Sequence, residues 1–352
     1  MTQGVSLSER IKSRARALGF DAVGVAPAAP PLERDHERYR EFIGLGFHGE
    51  MGWLARDAEV RRRVDTEEIL AGARSVICVA RSYARADEAR DRGIAPLVAR
   101  YARGRDYHNG LRKKLRQLAA FVRTLGEGAE ARPLCDDAPI LERAWAARAG
   151  LGFVGKNGLL IVPGQGSLLL LGEVITTLAL DADTPMPERC GSCTRCIDAC
   201  PTGAIVSPFV LDARRCVSYL TIELRSPIPG ELRAGVGEHL FGCDDCQTVC
   251  PFNAAPHPRD PRPFEPLERW STTRLSDLLS LEGGGPAWAA LSEGTPLRRA
   301  TAEGLARNAA IVLGNRRDPG ALAGLRQAAE GHPSSLVREA ARWAVGQIAP
   351  GA

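Results

Sequence analysis

Hydrophobic and polar positions over the first 180 residues follow helical and strand periods in turn. The first predicted helix is capped by Ser8 and ends at Gly19. Its apolar positions share one face and are Leu7, Ile11, Ala15 and Leu18. Further helices are predicted at residues 32–43, 111–125 and 140–149, and strands at residues 21–26, 72–80 and 131–135. These elements predict a mixed α/β domain built on a single sheet.

A turn at residues 163–166 separates two further β-rich segments. Residues 159–162 and 167–180 are predicted to pair as a hairpin that leads into a long strand. With this strand included, the sheet-bearing domain is predicted to span residues 1–184.

Eight of the ten cysteines fall between residues 190 and 250 and form two groups. The first group has the spacing C-x2-C-x2-C-x3-C-P and comprises Cys190, Cys193, Cys196 and Cys200. The second group lacks a leading cysteine and comprises Cys243, Cys246 and Cys250. Cys216, between the groups, is the candidate to replace the missing one. Bacterial ferredoxins use such runs to bind 4Fe-4S clusters, and the fourth cysteine of a run ligates the other cluster.

This crossing rule predicts two 4Fe-4S clusters in a ferredoxin-like domain over residues 185–252, which is also predicted to contain a helix near residues 211–223. Cluster one is predicted on Cys190, Cys193, Cys196 and Cys250. Cluster two is predicted on Cys200, Cys216, Cys243 and Cys246. The alternatives are disulfides, which require an oxidising compartment, and structural zinc, for which two plain CxxC pairs are more typical.

Beyond the cysteines the composition changes twice. A proline-rich connector at residues 253–270 is predicted to be extended and semi-rigid. From residue 271 alanine and leucine dominate, and segments 305–315 and 337–346 resemble each other at a spacing of about 31 residues. Two helical hairpins of HEAT type over residues 271–352 are the simplest interpretation. The predicted fold class is therefore α+β, with three domains.

Length and charge change this picture little. A chain of 352 residues with a net charge of +4 can bind an anionic partner without requiring one. Only four residues are lysine, so arginine provides most of the positive charge and suits forked contacts to phosphate. The sequence contains neither a signal-peptide pattern nor an apolar run of membrane-spanning length, which predicts a cytoplasmic protein without a membrane partner.

Three stretches carry candidate binding or catalytic residues. Residues 101–108 form a loop rich in arginine and tyrosine, which is typical of binding loops on a rigid scaffold. Asp136 follows the strand at residues 131–135, where it can cap the next helix or act as a general acid. Residues 150–158 are glycine-rich without a phosphate-binding fingerprint, which favours either close approach to a flat cofactor or a set of tight turns.

Several strings, taken together and in this order, resemble the epoxyqueuosine reductase family. They lie at residues 48–53, 104–108, 136–143, 150–157, 215–223 and 241–251, and residues 307–315 are similar to the HEAT-like tail of that family. The family uses cobalamin and iron-sulfur clusters in the last step of queuosine synthesis on tRNA. The resemblance implies a two-electron reduction that removes the epoxide oxygen from epoxyqueuosine at the wobble position, giving queuosine.

The resemblance also implies where cofactors and substrate bind. A base-off cobalamin is expected between the N-terminal domain and the cluster domain, with electrons reaching it through the clusters from an external low-potential donor. Asp136 is implied as the proton donor to the leaving oxygen. The expected contacts of cobalamin are Arg61, Tyr101, Asp136, Lys156, Asn157 and Ser218. The expected contacts of the tRNA are Arg298, Arg299 and Arg307, and the enzyme is expected to be a monomer.

One departure from the family and two alternative functions bear on this interpretation. Asp137 stands where the family usually has threonine, so a second carboxylate could influence Asp136 or take over part of its role. A reductive dehalogenase shares both cofactors but typically carries an export signal and lacks helical repeats. A non-catalytic electron carrier would leave the Asp136 motif without a function.

Overall fold

The structure is a computed structural model that describes residues 5–86, 88–254 and 262–350, and a four-stranded antiparallel sheet organises its N-terminal part. The helices of this part are α1 (Leu7–Ala17), α2 (Glu33–Gly44), α3 (Tyr107–Arg123) and α4 (Glu142–Arg148). Its strands are β1 (Ala22–Pro27), β2 (Ser75–Ser82), β3 (Ala131–Leu134), β4 (Phe153–Val154), β5 (Leu160–Ile161) and β6 (Leu169–Thr176). The spatial order in the main sheet is β1-β2-β6-β3. The predicted mixed α/β architecture is confirmed, but the prediction of a single sheet was wrong, because β4 and β5 form a separate two-stranded sheet.

Alternating residues of the fully buried strand β2 supply both faces of the sheet. Ile77 and Val79 pack in one cluster with residues of α1 and α3, such as Ile11 and Leu115. Val76, Cys78 and Ala80 belong to the opposite cluster, whose largest member is Trp145 of α4. The sheet therefore carries α1 and α3 on one face and α4 on the other.

The N-terminal helix begins two residues earlier than its predicted cap implied. Ser6 is the N-cap, and its Oγ accepts from the backbone N–H of Glu9 at 3.3 Å. Ser8 is buried and donates to the carbonyl of Asp181 at 3.0 Å instead. The capping prediction was wrong because Ser8 makes a long-range contact that no local pattern contains.

The predicted hairpin between residues 159–162 and 167–180 was also wrong. β5 pairs with the preceding strand β4, with Phe153 opposite Ile161. Val162 forms an isolated bridge with Gly166 at the end of the turn, and β6 lies between β2 and β3. The backbone N–H of Ser167 donates to Asn253 Oδ1 at 2.7 Å. This contact ties the start of the segment at residues 167–180 to the end of the cysteine-rich region.

The cysteine-rich region contains short elements separated by tight turns. They are α5 (Arg195–Asp198), β7 (Ile205–Ser207), β8 (Val210–Leu211), α6 (Val217–Ile222), α7 (Gly230–Val236) and α8 (Asp245–Thr248). The helix predicted near residues 211–223 is shorter than expected. Asp212 accepts from Arg214 N–H at 3.0 Å and starts a separate 3-10 turn, and Cys216 has extended backbone before α6 begins.

The predicted proline-rich connector lies partly outside the described residues, at 255–261. Its described part is not extended: Arg262–Phe264 is a 3-10 turn and Glu268–Ser271 forms α9. Phe264 is buried against Tyr83, with ring centroids 6.1 Å apart. The aromatic side chain packs the connector onto the N-terminal domain, a contact that proline content cannot predict.

The long elements of the C-terminal tail are all α-helices. It contains α10 (Pro286–Ser292), α11 (Ala302–Arg316), α12 (Leu322–Gly331) and α13 (Ser335–Ile348). The two similar segments found in the sequence fall on α11 and α13, and Gly314 of α11 approaches the backbone of Ala344 closely enough that a Cβ atom would lie 2.9 Å from its Cα. The assignment of these helices to the HEAT type stays a prediction.

One hydrophobic core crosses the predicted domain boundaries. It joins residues 94–102 of the N-terminal part, α6 and α7 of the cysteine-rich region, and the helices of the tail. Trp270, Leu305 and Phe241 are among its fully buried members. The boundaries at residues 184 and 270 stay predictions, and these regions pack as one body. Within the described ranges, no helix has both the length and the apolar character needed to cross a membrane.

Candidate active site and cluster-binding residues

All ten cysteines are free thiols, and eight of them gather in two neighbouring sets. Cys196 lies beside Cys193, Cys190 and Cys250. Cys216 lies beside Cys200, Cys243 and Cys246. Cys246 is in turn a neighbour of Cys196, so the two sets adjoin. Each set of four draws cysteines from both sequence groups, which is the arrangement that the crossing rule predicts.

Backbone N–H groups already point at several of these sulfur atoms. Ala204 N–H donates to Cys200 Sγ at 3.1 Å, and Asp245 N–H donates to Cys243 Sγ at 3.5 Å. Cys216 accepts from the N–H groups of Ser218 and Tyr219 at the start of α6. Such N–H···S bonds stabilise thiolate ligands and tune cluster potentials. The sulfur environment therefore fits metal-bound thiolates better than apolar packing.

Two residues expected to contact cobalamin lie against the cysteine loops. Lys156 Nζ donates to the carbonyls of Gly191 and Cys193, at 2.6 and 3.0 Å. Ser218 Oγ accepts from Cys243 N–H at 3.1 Å and also donates to Cys216. Both side chains hold backbone around the thiols. Their expected cobalamin contacts stay predictions.

A surface cavity of about 230 Å³ opens at the first set of cysteines. It is lined by Lys156, Asn157, Cys190, Cys193, Cys196 and Cys250, among others. Asn157 is buried there, and its Oδ1 accepts from Leu159 N–H at 3.2 Å. The first set therefore has an opening to the surface.

Asp136 stands on the loop that follows β3, with its side chain 62% exposed. Its backbone is left-handed, with φ of +53°. Aspartate and asparagine adopt this conformation more readily than most residues. The loop projects the carboxylate away from the sheet, where it can meet a substrate. Asp136 does not cap α4, whose N-cap residue is Leu141.

Two residues at the start of α3 face the Asp136 carboxylate. Tyr107 Oη and His108 Nε2 each lie 3.5 Å from Asp136 Oδ2. The other ring nitrogen of His108 lies 2.7 Å from Asp106 Oδ1, and the Tyr107 ring stacks on the imidazole at 4.1 Å. The hydrogen bond with Asp136, followed by that with Asp106, raises the pKa of His108. The site thus pairs an exposed carboxylate with an imidazole that favours its charged form.

Asp137 has a different set of partners. Its Oδ1 accepts from Cys135 N–H at 2.9 Å, and its Oδ2 lies 3.4 Å from Arg112 Nε. These contacts shape the loop and tie it to α3. Asp137 is thus bound by its own loop and by Arg112, whereas the side-chain partners of Asp136 are Tyr107 and His108.

Two further acids lie on the inner side of this loop. Glu142, in the first turn of α4, accepts from Asp136 N–H at 3.1 Å. Burial, with a further contribution from Asp136, raises the pKa of Glu142 to about 7. Glu173 in the centre of β6 is 0% exposed, and neither of its carboxyl oxygens has a partner among the described residues. Burial raises the pKa of Glu173 well above its usual range.

Tyr101 is partly buried, and Arg61 is buried within the N-terminal part. The Tyr101 ring contacts Tyr107 at 6.0 Å and Phe241 at 6.5 Å, so it bridges the Asp136 site and the cysteine-rich region. Arg61 lies over the Tyr39 ring at 5.3 Å and leaves its buried Nε without a partner in the described structure. An unpaired donor of this kind fits an additional polar ligand, such as an amide side chain of a corrinoid.

The glycine-rich segment at residues 150–158 is explained by its own packing. A Cβ atom at Gly152 would lie 2.1 Å from the carbonyl oxygen of Ile161, and one at Gly155 would lie 2.6 Å from the Ile161 side chain. Gly150 and Gly158 have positive φ, at +70° and +75°. Of the two interpretations of this segment, the described contacts support tight turns.

An exposed basic and aromatic surface lies on the tail side of the Asp136 site. Arg299 is exposed, donates to Glu223 Oε1 at 2.8 Å and lies over the Trp53 ring at 5.8 Å. Trp53 is 43% exposed. Arg298 is exposed on the same turn. We call Trp53, Arg298 and Arg299 the tail-side rim.

Arg307 does not belong to this surface, and its expected contact with tRNA is wrong. The residue is 1% exposed, and its guanidinium donates to the carbonyls of Leu220, Leu224 and Ser226 at 2.6 to 2.9 Å. Asn308 beside it donates to the carbonyls of Thr221 and Leu240. Burial lowers the pKa of Arg307 to about 10. Arg307 therefore joins α11 to the chain around α6.

Replacing Arg307 with methionine is expected to destabilise the protein by about 3 kcal/mol, because three buried carbonyls would lose their donor. Denaturant unfolding of the cluster-loaded protein measures the change. Arg298→Met, on the exposed rim, is the matched control and should stay within about 0.5 kcal/mol of the parent. An equally small effect at Arg307 would contradict the structural role.

Four residues of the site were not predicted from the sequence: Tyr107, His108, Glu142 and Glu173. Three of them lie within the strings at residues 104–108 and 136–143 that carried the family resemblance. Glu173 is the single charged residue of β6, in an otherwise apolar strand. An acid inside such a strand is a signal that the sequence alone provides.

The chain is similar to proteins of one enzyme family over nearly its whole length. A family model described as "Epoxyqueuosine reductase QueG, DUF1730" matches residues 63–137, and one described as "4Fe-4S double cluster binding domain" matches residues 189–253. The epoxyqueuosine reductase of Gloeobacter violaceus is 44% identical over 314 residues, which are 87% of this chain and 95% of that protein. That of Escherichia coli is 37% identical over 97% of this chain and 89% of that protein.

Solved structures give the same result. A crystal structure of epoxyqueuosine reductase with a tRNA-Tyr epoxyqueuosine-modified stem loop matches with a TM-score of 0.86 and 32% identity, over 97% of this chain and 90% of that one. The epoxyqueuosine reductase from Streptococcus thermophilus matches with a TM-score of 0.82 and 28% identity, over the same shares.

Proposed function

The chain belongs to the epoxyqueuosine reductase family, and we propose that it reduces epoxyqueuosine to queuosine at the wobble position of tRNA. The observation that carries this proposal is the match, over 97% of the chain, to an enzyme crystallised with an epoxyqueuosine-modified stem loop. An exposed acid on a loop beside a double-cluster domain is the site chemistry that such a reduction needs. A non-catalytic electron carrier would have no use for that acid.

Two 4Fe-4S clusters are proposed on the eight gathered cysteines. Cluster one is assigned to Cys190, Cys193, Cys196 and Cys250. Cluster two is assigned to Cys200, Cys216, Cys243 and Cys246. The neighbour relations among the thiols and the N–H groups aimed at them support this assignment. Electrons from the external low-potential donor are proposed to reach the active site through these two clusters.

Cobalamin is proposed between the N-terminal domain and the cysteine-rich region. Arg61, Tyr101 and Asn157 would hold it, with Lys156 and Ser218 supporting the adjacent cluster loops. When bound, cobalamin supplies low-valent cobalt, which can deliver two electrons to a carbon of the epoxide. The unpaired Nε of Arg61 and the position of Tyr101 between Tyr107 and Phe241 support this site.

Asp136 is proposed to protonate the oxygen that leaves the epoxide. The carboxylate is exposed, and the neighbouring His108 and Tyr107 orient it. Protonation is required because an alkoxide is a poor leaving group near neutral pH. General-acid catalysis of this kind typically contributes about 10²- to 10⁴-fold to a rate.

The tail-side rim is proposed to contact the anticodon loop. Arg298 and Arg299 can bind phosphates, and the exposed Trp53 can stack on a base, as aromatic side chains do in recognition of single-stranded RNA. The HEAT-like character of the tail, the monomeric state and a cytoplasmic location stay predictions.

Replacing Arg298 and Arg299 together with alanine is expected to weaken stem-loop binding and to flatten its salt dependence. Each lost phosphate contact should reduce the slope of log K against log salt by about 0.7. Binding isotherms of the modified stem loop at several salt concentrations measure both effects. Arg274→Ala, at an exposed residue that pairs with Asp277, is the matched control. An unchanged slope in the double variant would remove the rim from the interface.

The function itself is tested with purified protein loaded with cobalamin and clusters, given a strong chemical reductant and tRNA that carries epoxyqueuosine. We expect nucleoside mass analysis to show the loss of one oxygen atom from the modified base. Fully loaded, reduced protein that leaves the epoxide intact would overturn the proposal.

A further inference from the structure

A turn between α7 and α8 brings a histidine side chain to one of the gathered cysteines. Gly237 follows α7 with φ of +56° and ψ of −123°, a backbone conformation that glycine adopts readily. Asn315 of α11 donates to the carbonyl of Gly237 at 3.0 Å, and Leu240 N–H donates to the carbonyl of Leu97 at 2.8 Å. His239 therefore lies on a turn that is held on both sides.

The imidazole of His239 faces a carboxylate and a thiol with the same nitrogen atom. Its Nε2 lies 3.0 Å from Asp245 Oδ2 and 3.6 Å from Cys243 Sγ. The hydrogen bond with His239 lowers the pKa of Asp245, so this carboxyl group is ionised and can only accept hydrogen bonds. Nε2 must then carry the proton of the ring, and its N–H group is the one that faces the sulfur.

The Cys243 sulfur is an acceptor at the edge of the protein. It also accepts from Asp245 N–H at 3.5 Å, and the thiol is partly buried. The side chains of His239 and Asp245 are 26% and 36% exposed. Hydrogen bonds to the sulfur atoms and solvent exposure are two of the properties that set the reduction potential of an iron-sulfur cluster. The ring of His239 is placed to influence both.

A single metal ion is the alternative explanation of this group. Ligand atoms of His239, Cys243 and Asp245 all lie within 4.8 Å of one another, and all three residue types bind zinc. Cys243, however, also adjoins Cys216 and Cys246 in the second set of four cysteines. That set accounts for Cys243 as a cluster ligand, which leaves His239 beside a ligand and not as a ligand itself.

We propose that His239 raises the reduction potential of cluster two by donating a hydrogen bond to the Cys243 sulfur, with Asp245 orienting the ring. This inference rests on the proposed function, because it concerns one of the two clusters assigned there. His239 touches neither the substrate nor the reacting atoms. It acts through the Cys243 sulfur, as a positioning residue that directs an N–H group at it.

The step concerned is a one-electron reduction in which no bond forms or breaks. The external donor loses one electron and the cluster gains it, together with one unit of negative charge. An N–H group directed at a ligand sulfur stabilises the reduced form more than the oxidised form, because hydrogen bonds strengthen as the acceptor becomes more negative. His239 therefore makes cluster two easier to reduce.

His239→Phe removes the N–H donor and keeps a ring of similar size, so solvent access to Cys243 changes little. We expect the ratio of reduced to oxidised cluster two, measured at the midpoint potential of the parent, to fall about 10-fold. For a one-electron couple this is a shift of about 59 mV to lower potential. Redox titration at one fixed pH, followed by electron paramagnetic resonance, measures the shift, and the iron content should equal that of the parent.

Two cysteine variants provide matched backgrounds for this measurement. Cys190→Ala is expected to keep only cluster two, and Cys200→Ala is expected to keep only cluster one. His239→Phe should lower the potential in the first background and leave it unchanged in the second. Equal shifts in both backgrounds would mean a general change of the protein and would overturn the inference.

His239→Gln separates the hydrogen bond from the ring. The glutamine amide can donate an N–H group to sulfur, whereas phenylalanine cannot. We therefore expect the potential of His239→Gln to lie closer to that of the parent than to that of His239→Phe. Equal shifts in the two variants would assign the effect to the ring and would contradict the hydrogen bond.

The outcomes separate the inference from the function on which it rests. An unchanged potential in His239→Phe with full iron content overturns the inference alone. Loss of a cluster or of bound zinc from that variant would make His239 a metal ligand and would also overturn it. A parent that binds well below about eight iron atoms after complete loading would overturn the cluster assignment of the proposed function, and the inference with it.

Discussion

Asp136→Asn is expected to abolish turnover while leaving both cofactors in place. The amide has no acidic proton for the leaving oxygen, so single-turnover conversion should fall by at least about 100-fold. Asparagine tolerates the left-handed backbone of this position, where φ is +53°, so the loop keeps its shape. Nucleoside mass analysis measures the conversion, and the cobalamin and iron contents are measured on the same sample.

Asp137→Asn is the matched control, since it changes the adjacent carboxylate, which binds Cys135 N–H and Arg112. It should retain most of the activity. If Asp136→Asn stayed active, the proton donor would be His108, whose Nε2 lies 3.5 Å from the same carboxylate oxygen. Asp137→Asn as the only inactive variant would transfer the role to Asp137.

Removing one cysteine of a set is expected to remove one whole cluster and with it the activity. Cys190→Ala and Cys250→Ala should each lower iron from about eight to about four atoms per chain, because both are assigned to the proposed cluster one. The double variant with both changes should keep about four. The pair Cys190→Ala and Cys200→Ala should lose nearly all iron, since it removes a ligand from each cluster. Iron analysis and electron paramagnetic resonance of the reduced protein distinguish these cases.

The control for this series is Cys135→Ala, which changes a buried cysteine outside both sets and should keep about eight iron atoms. If Cys250 served the cluster of its own sequence group, the Cys190 and Cys250 double variant would lose both clusters. That result would overturn the crossed assignment while leaving the number of clusters intact.

The features that the sequence predicted are those encoded locally. The cysteine spacing is local, and both sets of four follow from it only when the crossing rule of bacterial ferredoxins is added. Strand positions followed from apolar runs, as for β1 and β2. The position of Asp136 after a strand, together with the family resemblance, identified it as the candidate acid.

The features that the sequence did not predict depend on contacts between distant segments. β5 pairs with β4 instead of the following segment, because a period of two specifies a strand but not its neighbour. Arg307 looks like a surface arginine in a helical repeat, yet three carbonyls 81 to 87 residues away bind it. The approach of Glu173 to the Asp136 loop likewise arises from sheet register, which places β6 beside β3.

The shared core and the Arg307 contacts determine which parts of the protein unfold together. α6 begins immediately after Cys216, and its carbonyls are held by Arg307 and Asn308 of α11. Local unfolding of α6 would break the hydrogen bonds that Arg307 and Asn308 donate to its carbonyls. We therefore expect α11 and the segment around Cys216 to unfold as one cooperative unit. Oxygen damage to the proposed cluster two would therefore destabilise α11 as well. The proposed RNA contact of the tail and the proposed electron path would then be lost together.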